Sequence, residues 1–373
     1  MKFRGVSGII TKNKNNINCY ACFKMMITGE LVKNKIIISK PKEVGRLYNK
    51  SGFGKSLSGN KLELDLLEGT FLLAEKKLKV FYNKKEIGFQ NLFEKAAEKI
   101  PDFEIKYLVF KDLRNRGHAI RLYNKLVGTS FCQIGNKKEK TDFLVSVFSE
   151  KDIFDIEKTS DLIKTASKIS EKIWFAIVDD EGDITYYEVS IVDMKGKNKE
   201  YVYKKSDAVL FDNRVIIFDK KQAKDLFEKE FYGKPVNDGL QISLLEALYL
   251  QDKNIINIKT VNDKKISKSS LKQMALKVQS DLNDYFFVFK NLKKRGLIVK
   301  TGFKFGTHFR SYTKNPDETH AEFLVHVLPK DFKSIWSEMS RAVRLAHSVN
   351  KEIIFAKTSK NTIDYIKFGR LRP

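Results

Sequence analysis

The chain has 373 residues, of which 42% are hydrophobic and 12% aromatic. A chain of this length and composition can form two or more domains with their own cores, which excludes a disordered protein. Its 70 Lys and Arg residues against 46 Asp and Glu give a formal net charge of +24, which favours a polyanionic partner such as nucleic acid. A generally basic proteome would produce the same excess.

Neither a membrane span nor a secretion signal is expected. The sequence has no run of about 18 apolar residues, and its start lacks an apolar segment long enough for a signal peptide. Its three cysteines suit a reducing cytoplasm. Cys19 and Cys22 form a C-x-x-C motif, but no second pair and no His partner follow, so we do not expect a zinc site.

An internal repeat organises the whole chain. The segment "FKDLRNRG" (Phe110–Gly117) recurs 179 residues further on as "FKNLKKRG" (Phe289–Gly296), and "FGKSL" at Phe53 recurs as "YGKPV" at Tyr232 with the same offset. We therefore expect a tandem duplication of a unit about half as long as the chain, not a solenoid of short repeats. Each copy is expected to have two parts, which divides the chain into residues 1–100, 101–196, 197–281 and 282–373.

Each repeat is predicted to mix strands with helices. The first part contains strand-like segments, "NKIIISK" and "NRVIIFD", and then a helix, "ISLLEALYL", with apolar residues at helical spacing. The second part begins with the helix that carries "FKxLxxRG", and Gly117 and Gly296 are expected to end it. Several strands, an amphipathic helix and a closing strand follow. This pattern predicts an α+β (mixed α/β) fold class.

The last helix of repeat 2 is predicted over "IWSEMSRAVRLAHSVNK". Its polar side is expected to carry Arg344 and Lys351, which are seven residues apart and so fall nearly on one line. Its predicted apolar stripe consists of Ile335, Met339, Ala342, Val343, Ala346 and Val349.

A hairpin with a phenol and an imidazole at its two ends is predicted between "FRSY" and "HAEFLVHVL". Pro316, flanked by Asn315 and Asp317, is typical of a turn. The strand after it alternates, with Ala321, Phe323, Val325 and Val327 on one face and His320, Glu322 and His326 on the other. Two strands joined in this way bring Tyr312 and His320 close together. Taken alone, the tyrosine is typical of a rim position and the histidine of a structural one.

Three segments of repeat 2 together carry a resemblance to a known family. They are "YFFVFKNLKKRGLIVKTGFKFGTHFRSY", "HAEFLVHVLP" and "SRAVRLAHSVNKEIIFA", in this order and spacing. They resemble the catalytic half of archaeal tRNA-splicing endonucleases, and the resemblance extends over both repeats. The tandem arrangement resembles the homodimeric form of the family, in which one repeat is catalytic and the other structural. The resemblance implies that each repeat is an N-terminal α+β subdomain followed by a nuclease-like mixed sheet flanked by helices, with residues 282–373 catalytic and residues 101–196 inactive.

The resemblance implies a catalytic triad of Tyr312, His320 and Lys351. Cleaving RNA through its own 2′-hydroxyl needs a base for that hydroxyl, an acid for the leaving 5′-oxygen and a positive charge near the phosphorane. A free phenol has a pKa near ~10, so it acts as a base only beside a cation, whereas histidine titrates near ~6.5 and is a natural acid. We therefore assign Tyr312 as base, His320 as acid and Lys351 as stabiliser. The expected products are a 2′,3′-cyclic phosphate and a 5′-hydroxyl, with no metal or other cofactor required.

Repeat 1 lacks these groups. Aligning the two copies places Ile134, Lys140 and Glu171 opposite the tyrosine, the histidine and the lysine, respectively. We therefore expect repeat 1 to be a copy of the fold that serves architecture and assembly.

An acidic segment and a group of arginines complete the predicted site. Asp179, Asp180, Glu181 and Asp183 decorate a predicted hairpin turn of repeat 1. In the family an acidic loop at this place docks into a basic cleft of a neighbouring unit; the alternative is a solvated turn. The family also sandwiches a bulged base between two cations. Arg344 matches one of them, and Arg372, chosen over Arg370, is the candidate for the other; an exposed arginine is otherwise a solvated charge.

These features predict a homodimeric tRNA-intron endonuclease that cuts precursor tRNA at bulge–helix–bulge motifs, reading RNA shape rather than sequence. One alternative is a non-catalytic RNA-binding or assembly subunit, which the intact triad of repeat 2 disfavours. Another is a metal-dependent nuclease, which is disfavoured because repeat 2 shows no convincing pair of carboxylates followed by a lysine.

Overall fold

The computed structural model of the chain describes residues 26–133 and 141–373. One compact unit ends at Phe103, and the other spans Glu104–Pro373. The C-x-x-C motif that begins at Cys19 lies outside the described residues. Within those residues, no helix is both long and apolar enough to cross a membrane.

The described part of the first unit is a six-stranded sheet with helices. Its elements are β1 (Ile27–Val32), β2 (Lys35–Ile38), α1 (Pro41–Ser51), β3 (Lys55–Leu57), β4 (Lys61–Leu64), α2 (Leu66–Ala74), β5 (Leu78–Tyr82), β6 (Lys85–Ile87) and α3 (Phe89–Ala97). The strand order is β3-β4-β2-β1-β5-β6, in which β1 and β5 are parallel and the other neighbours antiparallel. α2 begins at a capping box, because the side chains of Asp65 and Glu68 each accept a hydrogen bond from the other's backbone N–H.

The rest of repeat 1 forms helices and strands, and most of these strands belong to a second, larger sheet. Its elements are α4 (Phe103–Asn115), β7 (Ile120–Leu122), β8 (Phe131–Gln133), β9 (Thr141–Ser149), β10 (Ile153–Asp155), α5 (Ile156–Ala166), β11 (Ser170–Val178) and β12 (Ile184–Ile191). As predicted, the chain leaves α4 at Gly117, whose φ of 93° is open to glycine and strained for other residues.

Repeat 2 opens with a second six-stranded sheet. Its elements are β13 (Ser206–Phe211), β14 (Arg214–Ile217), α6 (Lys220–Glu230), β15 (Lys234–Val236), β16 (Gly239–Ser243), α7 (Leu244–Asp252), β17 (Ile256–Thr260), β18 (Lys265–Ile266) and α8 (Lys268–Val278). The strand order, β15-β16-β14-β13-β17-β18, reproduces that of the first sheet strand for strand. α7 again begins at a capping box, formed here by Ser243 and Glu246.

The second part of repeat 2 repeats the second part of repeat 1. It consists of α9 (Leu282–Lys294), β19 (Ile298–Thr301), a short 3-10 helix (Phe303–Phe305), β20 (Phe309–Tyr312), β21 (Phe323–Leu328), β22 (Lys333–Ile335), α10 (Trp336–Ser348), β23 (Glu352–Thr358) and β24 (Ile363–Leu371). Gly296, with a φ of 74°, ends α9 just as Gly117 ends α4.

The two copies merge into one ten-stranded sheet. Its order is β19-β20-β21-β23-β24-β12-β11-β9-β8-β7, so each copy contributes five strands in the same relative order. The last strands of the two copies, β24 and β12, meet as an antiparallel pair at the centre. The tandem duplication and the α+β class are therefore confirmed.

The closing helix of repeat 2 differs from its prediction at both ends. Ile335 was expected in the apolar stripe, but it lies in β22 before the helix and is exposed, whereas Trp336 is buried against Phe368. Lys351 does not continue the line of Arg344, because α10 ends at Ser348 and the chain turns before β23. The expectation that both cations share one side of the helix is wrong.

The strand after the predicted turn also differs from its prediction. It begins at Phe323, so His320 lies in the loop that precedes it. Leu324 and Val325 are both fully buried on opposite faces, because β21 is an inner strand covered on each side by a hydrophobic cluster. The expected division into an apolar and a polar face is therefore wrong for this strand.

Candidate active site

Three predicted catalytic residues lie at one edge of three neighbouring strands. β20 runs antiparallel to β21, and β21 runs parallel to β23. The end of β20 and the starts of β21 and β23 therefore meet at the same edge of the sheet. Tyr312 is the last residue of β20, His320 lies in the loop before β21, and Lys351 immediately precedes β23.

Ala321 contacts two of these residues and follows the third in the chain. Its side chain packs with Tyr312 and Ile298 in a small buried cluster. Its carbonyl oxygen accepts a hydrogen bond from the Lys351 Nζ at 3.1 Å. His320 is the preceding residue in the chain. The short segment that carries His320 therefore contacts both Tyr312 and Lys351 through Ala321.

The three side chains have different environments. Tyr312 is only 6% exposed, and the guanidinium carbon of Arg310 lies 5.9 Å from the centroid of its ring. The Lys351 Nζ lies 5.6 Å from the ring centroid of Phe305 and forms no ion pair within the described residues. His320 is exposed, and no hydrogen bond or ion pair holds it in the described part of the chain. A lysine without a carboxylate partner can offer its charge to a phosphate.

Arg310 was not singled out by the sequence analysis. It lies two residues before Tyr312 on β20, so alternation along the strand directs both side chains to one face. The spacing within "FRSY" contained this signal. Arg310 therefore places a positive charge beside the phenol. The sequence had led us to expect this charge from Lys351 alone.

His308, another histidine close to this strand, is a half-buried structural residue. It lies one residue before β20. Its Nδ1 accepts a hydrogen bond from the Val327 N–H at 2.8 Å, so its Nε2 carries the proton and donates to the Tyr285 hydroxyl at 2.6 Å. Burial, helped by the nearby His326, lowers the pKa of His308 to about 4. This imidazole is neutral at neutral pH and is occupied on both nitrogens.

The acidic segment of repeat 1 forms the turn between β11 and β12, which is the predicted hairpin. We call residues 179–183 the acidic turn. The Asp179 carboxylate accepts hydrogen bonds from the backbone N–H groups of Glu181 (3.0 Å) and Asp183 (2.9 Å) and so holds the turn together. Asp180 pairs with Lys151, while Glu181 and Asp183 are exposed and form no ion pair within the described residues. The turn therefore presents three carboxylates outward and uses the fourth internally.

Repeat 2 contains a basic cleft between α7, α8 and α9, with a volume of about 610 Å³. We call it the lysine cleft; the lysines that line it are Lys199, Lys253, Lys272, Lys290, Lys293 and Lys294. Its floor is fixed by the buried ion pair between Lys293 and Glu230, at 2.9 Å. At its rim, Lys199, Lys272 and Lys294 are exposed and form no ion pair with any described carboxylate. The cleft therefore attracts negative charge.

Two of the three candidate arginines lie close to one tyrosine. Arg370, on β24, lies directly opposite Tyr187 in the register with β12, and Arg344 lies exposed on α10. Burial raises the pKa of the Tyr187 phenol, and the positive charges of Arg344 and Arg370 act in the opposite direction. Arg372 lies beyond the end of β24 and is exposed. The structure thus brings Arg344 and Arg370 to the same neighbourhood.

The corresponding edge of repeat 1 lacks the lysine. The registers of β11 with β9 and of β23 with β21 place Glu171 at the position that Lys351 occupies in repeat 2. The predicted counterparts of the tyrosine and the histidine, Ile134 and Lys140, lie outside the described residues. Among the described residues, no group of three or more His, Cys, Asp and Glu side chains is placed to hold a metal ion.

The chain is thus a duplicated α+β protein whose second copy carries a tyrosine, a histidine and a lysine at one edge of a mixed sheet. Sequence models described as "tRNA intron endonuclease, catalytic C-terminal domain" match residues 103–186 and 282–365. Models described as "tRNA intron endonuclease, N-terminal domain" match residues 27–93 and 206–272. The chain belongs to the tRNA intron endonuclease family.

Curated relatives match over nearly the whole chain. The tRNA-splicing endonuclease of Methanococcoides burtonii is 35% identical over 357 residues, which cover 92% of this chain and 99% of that protein. The enzyme of the same name from Methanosarcina barkeri is 34% identical, with 91% and 99% covered. That of Haloferax volcanii is 27% identical, with 88% and 95% covered. The relatives therefore share the complete two-repeat plan, not a single domain.

Proposed function

We propose that the protein is a cytoplasmic, homodimeric enzyme that removes introns from precursor tRNA by cutting bulge–helix–bulge RNA without a metal ion. The products would be a 2′,3′-cyclic phosphate and a 5′-hydroxyl. The observation that supports this most directly is that Tyr312 and Lys351 both contact Ala321, the residue that follows His320. Membership of the family and the names of the relatives support the tRNA substrate.

The proposed reaction needs only groups of the protein and the RNA. Tyr312, as phenolate, takes the proton of the 2′-hydroxyl, and the 2′-oxygen then attacks the adjacent phosphorus. The bond from phosphorus to the 5′-oxygen breaks, and His320 gives its proton to that oxygen. Lys351 stabilises the extra negative charge of the phosphorane. A phenol acts as a base most easily beside a positive charge, and Arg310 provides one at 5.9 Å from the ring centroid.

The grip on the RNA is proposed to come from Arg344 and Arg370. Planar guanidinium groups stack on bases, so two of them can hold a bulged base between their faces. Both flank Tyr187, whereas nothing in the described contacts links Arg372 to this neighbourhood. We therefore prefer Arg370 to Arg372 as the second cation.

Dimer formation is proposed to join the acidic turn of one subunit to the lysine cleft of the other. The outward carboxylates of the turn and the unpaired lysines at the rim of the cleft have complementary charge. Because the turn belongs to repeat 1 and the cleft to repeat 2, the contact is reciprocal and occurs twice, as a two-fold dimer requires. Such a dimer holds two catalytic centres for the two cuts of an intron.

The test is cleavage of an end-labelled bulge–helix–bulge RNA in excess EDTA, followed by analysis of the RNA ends. We expect two cuts with cyclic phosphate ends by the parent protein and no cutting by Tyr312→Phe, since phenylalanine keeps the ring and removes the base. A fully paired helix of the same length serves as the control RNA. Loss of cutting in EDTA that magnesium restores would favour the metal-dependent nuclease, and binding without cutting would favour the non-catalytic subunit.

A further inference from the structure

The end of α6 touches the candidate active site through Phe231. This residue follows the last residue of the helix and has a φ of 59°, in the left-handed region. Its backbone N–H donates to Phe227 O and the next N–H, of Tyr232, donates to Leu226 O, so the turn is closed by hydrogen bonds of the helix end.

Repeat 1 contains the same turn with a glycine. α1 ends at Ser51, and Gly52, which lies 179 residues before Phe231, has a φ of 62° and closes its turn with the equivalent pair of hydrogen bonds. A left-handed backbone costs glycine nothing, whereas it strains a residue with a bulky side chain. The copy that carries the triad therefore keeps a strained phenylalanine where the other copy keeps a relaxed glycine.

The left-handed turn places the Phe231 ring against the candidate active site. The ring packs against the cluster of Tyr312, Ala321 and Ile298. The phenol of the candidate base and the segment next to His320 are thus covered by a side chain from the N-terminal subdomain of repeat 2.

Lys300 fixes this turn to the catalytic sheet. Its Nζ donates hydrogen bonds to the carbonyl oxygens of Phe231 (2.6 Å) and Gly233 (2.7 Å). Lys300 lies on β19, directly opposite Arg310 of β20. The turn is therefore held from the same pair of strands that carries Tyr312.

We propose that Phe231 is a positioning residue for RNA cleavage, which holds the Tyr312 ring and Ala321 in the geometry that the reaction needs. The proposal rests on the proposed role of Tyr312 as the base. It predicts that replacing Phe231 impairs the chemical step and not the fold, since repeat 1 forms the same turn without a side chain.

The test compares Phe231→Gly with the parent, with Phe231→Leu as the conservative variant. The matched control is Asp212→Gly, which relieves another left-handed residue (φ 49°) in the turn between β13 and β14. We expect Phe231→Gly to lower kcat by roughly 10- to 100-fold with KM nearly unchanged, because small misplacements of catalytic groups have effects of this size. Relief of the left-handed backbone and loss of the ring's packing act in opposite directions on its thermal midpoint, so kcat is compared at a temperature at which all four proteins are folded. Phe231→Leu should recover most of kcat, and Asp212→Gly should match the parent in kcat.

A second readout does not depend on RNA. With 3-fluorotyrosine incorporated at position 312, Phe231→Gly should shift or broaden the ¹⁹F resonance, and Asp212→Gly should leave it unchanged. An unchanged resonance or an unchanged kcat in Phe231→Gly would overturn the proposal, as would a kcat loss confined to temperatures at which this variant is partly unfolded. A parent protein that does not cut RNA while the resonance responds would instead reject the proposed function and the positioning role that rests on it, leaving only the contact.

Discussion

Replacing His308 and His320 by alanine, one at a time, should separate stability from chemistry. In His308→Ala, the Val327 N–H loses its acceptor and Tyr285 loses one of its hydrogen-bond partners. A buried donor left unsatisfied costs about 1–3 kcal/mol, and the lost ring contact with His326 adds to this, so we expect the free energy of unfolding to fall by about 2–4 kcal/mol. His320 is exposed, so its replacement should change that free energy by no more than about 0.5 kcal/mol.

The pH dependence of stability provides a second measure of His308. Burial lowers its pKa to about 4 in the folded protein, against about 6.5 in an unfolded chain. Between these values the unfolded chain binds a proton that the folded chain does not, so the free energy of unfolding falls as the pH drops from about 6.5 to about 4. At its full extent this loss of unfolding free energy is about 3 kcal/mol. It is complete near about pH 4 and absent above about pH 6.5. His326, whose pKa burial also lowers, acts in the same direction.

The assays are urea unfolding from about pH 7 down to about pH 4 and single-turnover cleavage of bulge–helix–bulge RNA at neutral pH. His320→Ala should keep the parent's pH dependence of stability and its RNA affinity, while its cleavage rate falls by roughly 10²–10⁴-fold, because an acid acts mainly in the transition state. His308→Ala should flatten the pH dependence and, where folded, still cut. If His308→Ala unfolds like the parent yet cannot cut, or if His320→Ala cuts normally, the assignment of the acid is wrong.

The remaining predictions concern assembly and substrate grip. Changing the three outward carboxylates of the acidic turn to amides, while keeping Asp179 because it closes the turn, should raise the dimer dissociation constant in sedimentation and lower activity at low protein concentration. Changing Glu86, Glu94 and Glu98 to amides should leave the dimer dissociation constant unchanged. If the variant of the acidic turn dimerises as tightly as the parent, the turn is only a solvated one. Arg370→Ala should weaken RNA binding by the stacking of one base, about 1–3 kcal/mol, and more than Arg372→Ala does; the reverse order would restore Arg372 as the second cation.

The sequence was sufficient for features that depend on nearby residues. The ends of α4 and α9 followed from Gly117 and Gly296, because a left-handed residue after a helix is a local requirement. The duplication and its offset were visible as repeated strings, and the two six-stranded sheets have the same strand order. The acidic turn was predicted as a hairpin turn, and β11 and β12 pair across it.

Other features depend on residues that are distant in the sequence, and these were missed. Nothing near β12 or β24 in the sequence indicates that the two strands pair. The apolar content of β21 looked like alternation because only the three-dimensional structure shows that the strand is covered on both faces. The line from Arg344 to Lys351 failed because the helix stops at Ser348, and the left-handed residue that follows is Asn350 rather than the more telling glycine.

The residues of the candidate site also fall into those that the sequence could predict and those that it could not. Family motifs identified Tyr312, His320 and Lys351, whose roles stay predictions, and the topology of three strand ends accounts for their proximity. Arg310 could have been predicted from the alternation of side chains along β20. Phe231 could not be predicted, since its contact with the cluster of Ile298, Tyr312 and Ala321 joins two subdomains that are far apart in the sequence.

The pairing of β12 with β24 within one polypeptide has a consequence for how the two copies can change. Separate subunits would have to find each other in solution, whereas linked copies experience an effective concentration on the order of millimolar. The ten-stranded platform therefore persists at any dilution. In an assembly of identical single copies, every mutation appears at every equivalent position, so a residue that suits one site is forced on the others. In the linked chain each copy mutates alone, which permits glycine at position 52 and phenylalanine at position 231 in the same molecule.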